Sequence, residues 1–261
     1  MNLDQIKNKL QSLQVKNTGG GNNGEKKNLF WKPSIGKQTI RIVPSKFNKD
    51  NPFSELYFHY GIGNKTMISP INWGEKDPIV DFSKQLRKTK EKENWKLAKK
   101  LDPKMRIFVP VVVRGEEDQG VKLWSFGKEL YMDFLNLADN EDIGDFTDPV
   151  NGRDIIVTTV GPEATGTAYN KSTIMPRTKE TPLVEDANLL NRVLTEQVNP
   201  MDAFKKYSFD EMKEILQDWL TPNEENEGEE EEDSSIGTTT PNVSLNKTSK
   251  SDKFNALFDK E

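Results

Sequence analysis

Residues Met105 to Phe126 read MRIFVPVVVRGEEDQGVKLWSF and combine strand and turn signals. Two runs rich in β-branched and aromatic residues, Met105 to Val113 and Val121 to Phe126, flank seven residues of turn composition. β-Branched and aromatic residues favour strands, and glycines beside acidic residues favour turns. The stretch therefore predicts a β-hairpin.

Further strands are predicted on both sides of this hairpin. The segments with strand composition are Gln38 to Val43, Leu56 to Tyr60 and Asp154 to Val160. Each is followed by proline or glycine, as strands commonly are.

Helical segments separate these strands. Asp77 and Pro78 form an N-cap and first-turn pair, which predicts a long basic helix from Pro78 to Leu101 with a break near Glu93. Three more helices are predicted over Lys128 to Leu137, from Thr181 to about Glu196, and after the capping box of Ser208 and Glu211. Short strands with interspersed helices predict a mixed α+β fold, an OB-like β-barrel core with added helices.

The two ends of the chain differ from this core. In residues 1–27, Leu3, Ile6 and Leu10 have helical spacing ahead of a glycine-rich linker, which predicts a flexible N-terminal amphipathic arm. The arm could reach a neighbouring molecule or fold back on its own domain. Residues 28–220 form the predicted binding core, and residues 221–261 form a tail with 11 acidic and four basic residues, too polar to build a packed core.

The last residues of the tail regain apolar character at Phe254, Leu257 and Phe258. Aromatic residues at the end of a polar tether are typical of a docking signal for partner proteins. The alternative is a disordered terminus in which the aromatic residues occur by chance.

The formal net charge of −5 is unevenly distributed. Residues 26–49 hold seven basic residues and no acidic one, and residues 84–106 hold ten basic and three acidic residues. Two positive segments on a nearly neutral body indicate a cationic surface, whose usual target is a phosphate backbone. Two ordinary solvated faces are the alternative interpretation.

Several classes of enzyme lack their residues here. The chain has no cysteine and one histidine, His59, which excludes a thiol nucleophile, a disulfide and a two-histidine metalloprotease motif. No complete nucleotide-binding loop is present, and no apolar run is long enough for a signal peptide or a membrane span. A carboxylate cluster from Asp139 to Asp148 leaves a metal-dependent nuclease as an unfavoured alternative.

Cationic and aromatic residues interleave through the body. Single-strand binding without sequence preference uses this mixture, since every base offers a π-face and every nucleotide a phosphate. The candidate DNA-binding residues are Trp31, Lys32, Arg41, Tyr57, Tyr60, Arg87, Lys88, Trp95, Lys99, Lys100, Arg106, Trp124 and Lys128.

Several of these pieces, in their order, resemble a known family. They are Phe30 to Pro33 followed by Ile40 to Pro44, Asp77 and Pro78 with Phe82, Val111 to Val113, and Val121 to Tyr131. In this order the chain resembles the helix-destabilising single-stranded DNA-binding proteins of T-even-like tailed bacteriophages.

The resemblance implies a non-catalytic protein in the cytoplasm of an infected bacterial host, with no membrane association. It implies an OB-fold core that binds single strands in a basic cleft, an N-terminal arm that gives cooperative coating, and an acidic tail that contacts replication and recombination proteins. The implied partners are single-stranded DNA, neighbouring copies along it, the phage DNA polymerase, helicase, helicase loader and recombination proteins, and the protein's own mRNA. DNA replication, recombination and repair are the implied processes.

The sequence departs from that family in two places. Well-studied relatives carry a zinc subdomain with cysteine ligands, whereas this chain has His59 and no cysteine, so no cofactor is expected and zinc should be absent. The basic cluster of the arm is also reduced to Lys7, Lys9 and Lys16. A replication adaptor resembling a helicase loader, which touches DNA only incidentally, is the rival function.

Overall fold

The computed structural model describes residues 29–220 together with residues 254, 255 and 258, and it has a mixed α+β fold. Eight strands form one sheet. They are β1 (Phe30–Trp31), β2 (Gly36–Ile42), β3 (Ser54–Ile62), β4 (Lys65–Ile68), β5 (Lys104–Val113), β6 (Lys122–Phe126), β7 (Arg153–Val160) and β8 (Lys171–Glu180).

The ten-residue strand β5 organises the sheet. It pairs with β6 along one edge, and along the other it pairs first with β3 and then with β2. β1 lies parallel to β6, β7 and β8 continue the sheet beyond β2, and β4 pairs with β3. The predicted hairpin of β5 and β6 is therefore the centre of the sheet.

Six helices accompany these strands. They are α1 (Pro78–Lys88), α2 (Lys92–Leu101), α3 (Lys128–Ala138), the single turn α4 (Pro162–Thr165), α5 (Ala187–Thr195) and α6 (Phe209–Leu220). Asp77 caps α1 through the N–H groups of Ile79 and Val80, as predicted. The capping box of α6 is also confirmed, since the Glu211 N–H donates to Ser208 Oγ and the Ser208 N–H to Glu211 Oε2.

Alternation along the strands divides the apolar residues between the two faces of the sheet. Ile107, Val109 and Val111 of β5 face a core closed by Leu130 and Phe134 of α3. Phe108, between them, faces the opposite side, where it joins Leu56, Phe58 and Ile68 in a second cluster. Because both faces of the sheet are covered, an aromatic residue can be buried on either face.

A helical lobe stands beside the sheet. Its core is formed by α1, α2 and α6 with the end of β3 and with β4, and its buried residues include Ile62, Met67, Phe82 and Leu216. His59 joins the lobe to β3 by hydrogen bonds that reach α1 and α2.

Some boundaries differ from those predicted. The predicted break of the basic helix is confirmed, and it lies over residues 89–91, two residues before Glu93, where Lys90 has φ of 58°. The helix expected from Thr181 begins at Ala187, since Asp186 supplies the capping carboxylate. β4 and β8 were not predicted. An OB-like barrel stays a prediction, because in the described part of the chain β1 and β8 end the sheet unpaired with each other.

Within residues 29–220, no helix combines the length and the apolar character that crossing a bilayer requires. The predicted arm and most of the tail lie outside the described residues.

Candidate nucleic-acid interface

Cations and one tyrosine meet at an end of the sheet face that carries Phe58 and Phe108. The register pairs Leu56 with Arg106 and Phe58 with Lys104, which places both basic residues on this face. Tyr60 follows Phe58 at the same alternation, and the two rings lie 6.1 Å apart. We call Tyr60, Lys104, Arg106 and the nearby Lys128 the sheet-face cluster.

Arg106 is the best-defined member of this cluster. Its Nη1 atom lies 3.8 Å from the position that a Cβ atom on Gly127 would take, so the guanidinium packs against the start of α3, beside the exposed Lys128. Burial lowers the pKa of Arg106, although Tyr60 acts in the opposite direction. Burial also lowers the pKa of Lys104.

No described residue neutralises the charge of Arg106. Among the described residues no carboxylate lies within ion-pairing distance of its guanidinium, whereas Arg153 pairs with one carboxylate and Arg114 with two. A half-buried, unneutralised guanidinium is suited to binding an anion such as phosphate.

A second group of candidates lies on the outer surface of α1 and α2. Trp95 is 52% exposed, and Lys99 Nζ lies 5.7 Å from the centre of its ring. Lys88 is exposed and Lys100 is half-buried, while Arg87 donates to Ser83 and forms an ion pair with Asp102. We call Arg87, Lys88, Trp95, Lys99 and Lys100 the helix-face cluster.

The elements that carry the two clusters are consecutive where α2 leads into β5. Only Asp102 and Pro103 separate the end of α2 at Leu101 from the start of β5 at Lys104. The Leu101 carbonyl accepts from Nδ1 of His59, the residue before Tyr60, at 2.9 Å. This hydrogen bond fixes the end of the helix-face cluster against the strand that carries the sheet-face cluster.

Two tryptophans predicted to stack on bases are core residues instead. Trp31 is 7% exposed and Trp124 is 2% exposed, and their rings contact each other edge to face at 5.1 Å. Trp124 also packs on Phe126 and Phe134. The prediction for Trp31 and Trp124 is wrong because their register turns both rings toward α3.

Arg41 is likewise not available to phosphate. Its side chain is 0% exposed, and its Nη2 donates to the carbonyls of Asp148 at 2.7 Å and Thr181 at 2.9 Å. Asp154 lies 3.7 Å from its Nη1, and burial lowers the pKa of Arg41 to about 10. Arg41 therefore ties β2 to two loops, and its prediction as a DNA contact is wrong.

The remaining candidates, Lys32 and Tyr57, belong to neither cluster. Lys32 is exposed just after β1. Tyr57 is half-buried and, three residues before Tyr60 in an unbroken part of β3, lies on the opposite face of the strand.

Sequence reasoning missed two aromatic residues beside lysines. Phe47, in the loop after β2, is 49% exposed with Lys46 Nζ 5.9 Å from its ring centre. Trp73 is half-buried, and Lys206 Nζ lies 4.6 Å above its ring. The lysines on both sides of Phe47 were a usable signal, whereas Lys206 is too distant in sequence from Trp73 to have indicated the pair.

Carboxylates between Asp139 and Asp148 accept hydrogen bonds from N–H groups of their own loop. Asp148 Oδ1 accepts from the N–H groups of Val150 and Asn151, which lower the pKa of Asp148, and Asp145 Oδ1 accepts from Thr147. Over the described residues, no group of three or more acidic, histidine or cysteine side chains is arranged to hold a metal ion.

The segment between the first strands and the basic helix, where the family resemblance raised the question of zinc, holds a hydrogen-bonded network. His59 Nδ1 faces the Leu101 carbonyl, and its Nε2 lies 2.9 Å from Asp77 Oδ2, which also accepts from Ser69 Oγ. Both ring nitrogens are thus engaged by protein oxygens, and the chain has no cysteine. These residues do not fit the donor set of a structural zinc site.

The predicted protein-interaction residues divide into two groups. Leu3, Ile6, Leu10 and Leu257 lie outside the described residues. Phe254 and Phe258 are described, and both pack against the helical lobe.

Comparison with known proteins agrees with this chemistry. A family model described as gp32 DNA binding protein like matches residues 35–255. No curated protein matches the chain. The resemblance to phage single-stranded DNA-binding proteins is thereby confirmed, and the chain belongs to the gp32-like family of DNA-binding proteins.

Proposed function

We propose that this protein coats single-stranded DNA without sequence preference through the sheet-face and helix-face clusters. The observation that carries the proposal is Arg106, a half-buried guanidinium with no carboxylate partner among the described residues, beside Tyr60 and Lys128. The family match supports the same target.

The chemistry of the two clusters suits a strand of any sequence. Exposed lysines such as Lys88, Lys99 and Lys128 contact phosphates, which carry no base information. Tyr60 and Trp95 offer rings on which unpaired bases stack, each worth about 1–3 kcal/mol. A duplex hides its base faces, so the same surface favours the unpaired form.

Arg106 has a distinct role in this proposal. Because its side chain is half-buried, part of its conformational freedom is already lost before a phosphate binds. Burial has already removed part of its hydration, which strengthens its attraction for an anion.

The ends of the chain extend this function. We propose that the acidic run from Glu224 to Asp233 competes with DNA for the cationic clusters, and that the arm supports cooperative coating. Replication, recombination and repair proteins of a phage are the proposed tail partners, and the host cytoplasm is the proposed location. We further propose that the core is OB-like and that its helical lobe folds without zinc.

A titration of the full chain with poly(dT) at several salt concentrations tests the proposal. Affinity should fall with salt by about 0.7 in log K per neutralised phosphate for each decade. Binding should also exceed that for a duplex of equal length. Weak binding that does not respond to salt would instead support the adaptor function.

A further inference from the structure

An apolar groove between α1 and α6 holds the C-terminal aromatic residues. Phe254 is 2% exposed and belongs to the same buried cluster as Ile79 and Phe82 of α1 and Met212 and Leu216 of α6. Its ring meets that of Phe82 edge to face at 5.9 Å. A residue close to the end of the chain thus completes the core of the helical lobe.

Phe258, four residues after Phe254, reinforces this contact. The rings of Phe254 and Phe258 lie 4.8 Å apart. Phe209 contacts Phe258 edge to face at 6.1 Å, and Lys213 Nζ lies 5.0 Å from the centre of the Phe258 ring. Both Phe209 and Lys213 belong to α6, so the second ring is held by that helix.

The segment around Phe254 and Phe258 is distant in sequence from the rest of the helical lobe. Leu220, at the end of α6, and Phe254 are members of one cluster, yet residues 221–253 lie between them. That connection contains the acidic run from Glu224 to Asp233 and few apolar residues. In composition it is a tether, and the segment at its end is an intramolecular ligand.

We propose that the groove between α1 and α6 is a peptide-binding site whose ligand is the chain's own C-terminal segment around Phe254 and Phe258. Docking in cis withholds these two rings from other proteins and anchors the acidic tail at both ends. A partner that recognises the rings must first draw the segment out of the groove. The proposal does not depend on DNA binding.

A labelled peptide tests whether the groove is a site that can exchange its ligand. The probe is a fluorescent peptide of residues 249–261, and the receptor is the full chain carrying Phe254→Ala and Phe258→Ala, which empties the groove. Anisotropy should report binding to this variant and at least about tenfold weaker binding to the wild-type chain, whose own segment competes at an effective concentration on the order of millimolar. A peptide with both phenylalanines replaced by alanine should not bind.

Two results would overturn the proposal: no binding of the peptide to the emptied groove, or equal binding to the variant and the wild-type chain. The wild-type chain could also bind the peptide less tightly as the protein concentration rises. That result would overturn docking in cis, because it indicates that C-terminal segments exchange between copies.

A second variant covers the case in which the double variant does not fold. Phe209→Ala removes a partly exposed contact with Phe258 and leaves Phe254 in place. It should speed amide hydrogen exchange in the C-terminal segment severalfold and leave the exchange of β5 unchanged. Unchanged amide exchange in the C-terminal segment would contradict the proposed packing of Phe258 against α6.

Discussion

His59 Nε2 lies 2.9 Å from Asp77 Oδ2, and both side chains are wholly buried. Nδ1 of the same ring lies 2.9 Å from the Leu101 carbonyl oxygen, so both ring nitrogens face a protein oxygen. Asp77 also caps α1. This buried pair of side chains therefore joins β3 to the start of α1 and the end of α2.

Replacing Asp77 should destabilise the fold strongly. Asp77→Ala removes the cap of α1 and leaves His59 and Ser69 without their acceptor, so the free energy of unfolding should fall by about 3–5 kcal/mol. Urea denaturation followed by circular dichroism measures the loss. Asp186→Ala is the matched control, because this exposed cap of α5 accepts only from Leu189 and should cost about 1 kcal/mol. Equal losses in the two variants would contradict the structural role of the buried pair.

The same pair should make the free energy of unfolding depend on pH in the acidic range. Burial alone would raise the pKa of Asp77, but the hydrogen bond and charge of His59, with Ser69 and the Val80 N–H, outweigh it and lower the pKa below its ordinary value of 3.8. The unfolded chain therefore binds the proton more tightly, so the stability from Asp77 is complete above about pH 4 and is lost as pH falls through the folded pKa. As the pH is lowered from 6, the free energy of unfolding should fall less steeply in Asp77→Asn than in the wild type. Parallel curves for the two proteins would refute the lowered pKa of Asp77.

Gly152 should be intolerant of a side chain. A Cβ atom there would lie less than 3.0 Å from the Arg41 guanidinium and from the Asp148 carbonyl oxygen. Gly152→Ala should therefore displace the buried Arg41 and lower the melting temperature, with a cost of about 1–3 kcal/mol. In Gly161→Ala the new methyl meets only the end of the exposed Ile35 side chain, so a small change is expected. A thermal melt that ranks the two variants in the opposite order would argue against this packing.

Tryptophan fluorescence should report DNA through Trp95. Because Trp31 and Trp124 are sealed in the core, stacking of poly(dT) bases should quench Trp95 much more than either buried ring. Trp95→Phe should remove a large part of the quenching while keeping a ring for stacking, and Trp124→Phe should retain the quenching. Loss of quenching in Trp124→Phe alone, with its fold intact, would contradict the proposed surface.

Sequence predicted those parts of the fold in which local signals coincide with the final structure. The β5–β6 hairpin, the cap at Asp77 and the capping box at Ser208 depend on neighbouring residues, and all three are present. β8 was missed because KSTIMPRTKE is polar and contains Pro176, a composition tolerated at the edge of a sheet but weak as a strand signal.

The candidate site was harder to predict because burial depends on distant residues. Arg41 alternates with apolar neighbours and so looked exposed, yet its acceptors lie 107 and 140 positions away in sequence. Alternation placed Trp124 and Ser125 on opposite faces of β6, but it could not show that α3 covers the tryptophan. The pairing of β3 with β5, which brings Tyr60 toward Arg106, was also invisible to local patterns.

The variant Arg106→Ala tests whether the sheet-face cluster binds the phosphates of an unpaired strand. Arg177→Ala is the matched control, since Arg177 is an exposed arginine on the outermost strand, β8. Affinity for poly(dT) at fixed salt should fall about tenfold or more in Arg106→Ala, and the slope of log K against log salt should lose about 0.7. Arg177→Ala should match the wild type. An Arg106→Ala protein that is folded and binds with wild-type affinity and salt slope would contradict the account.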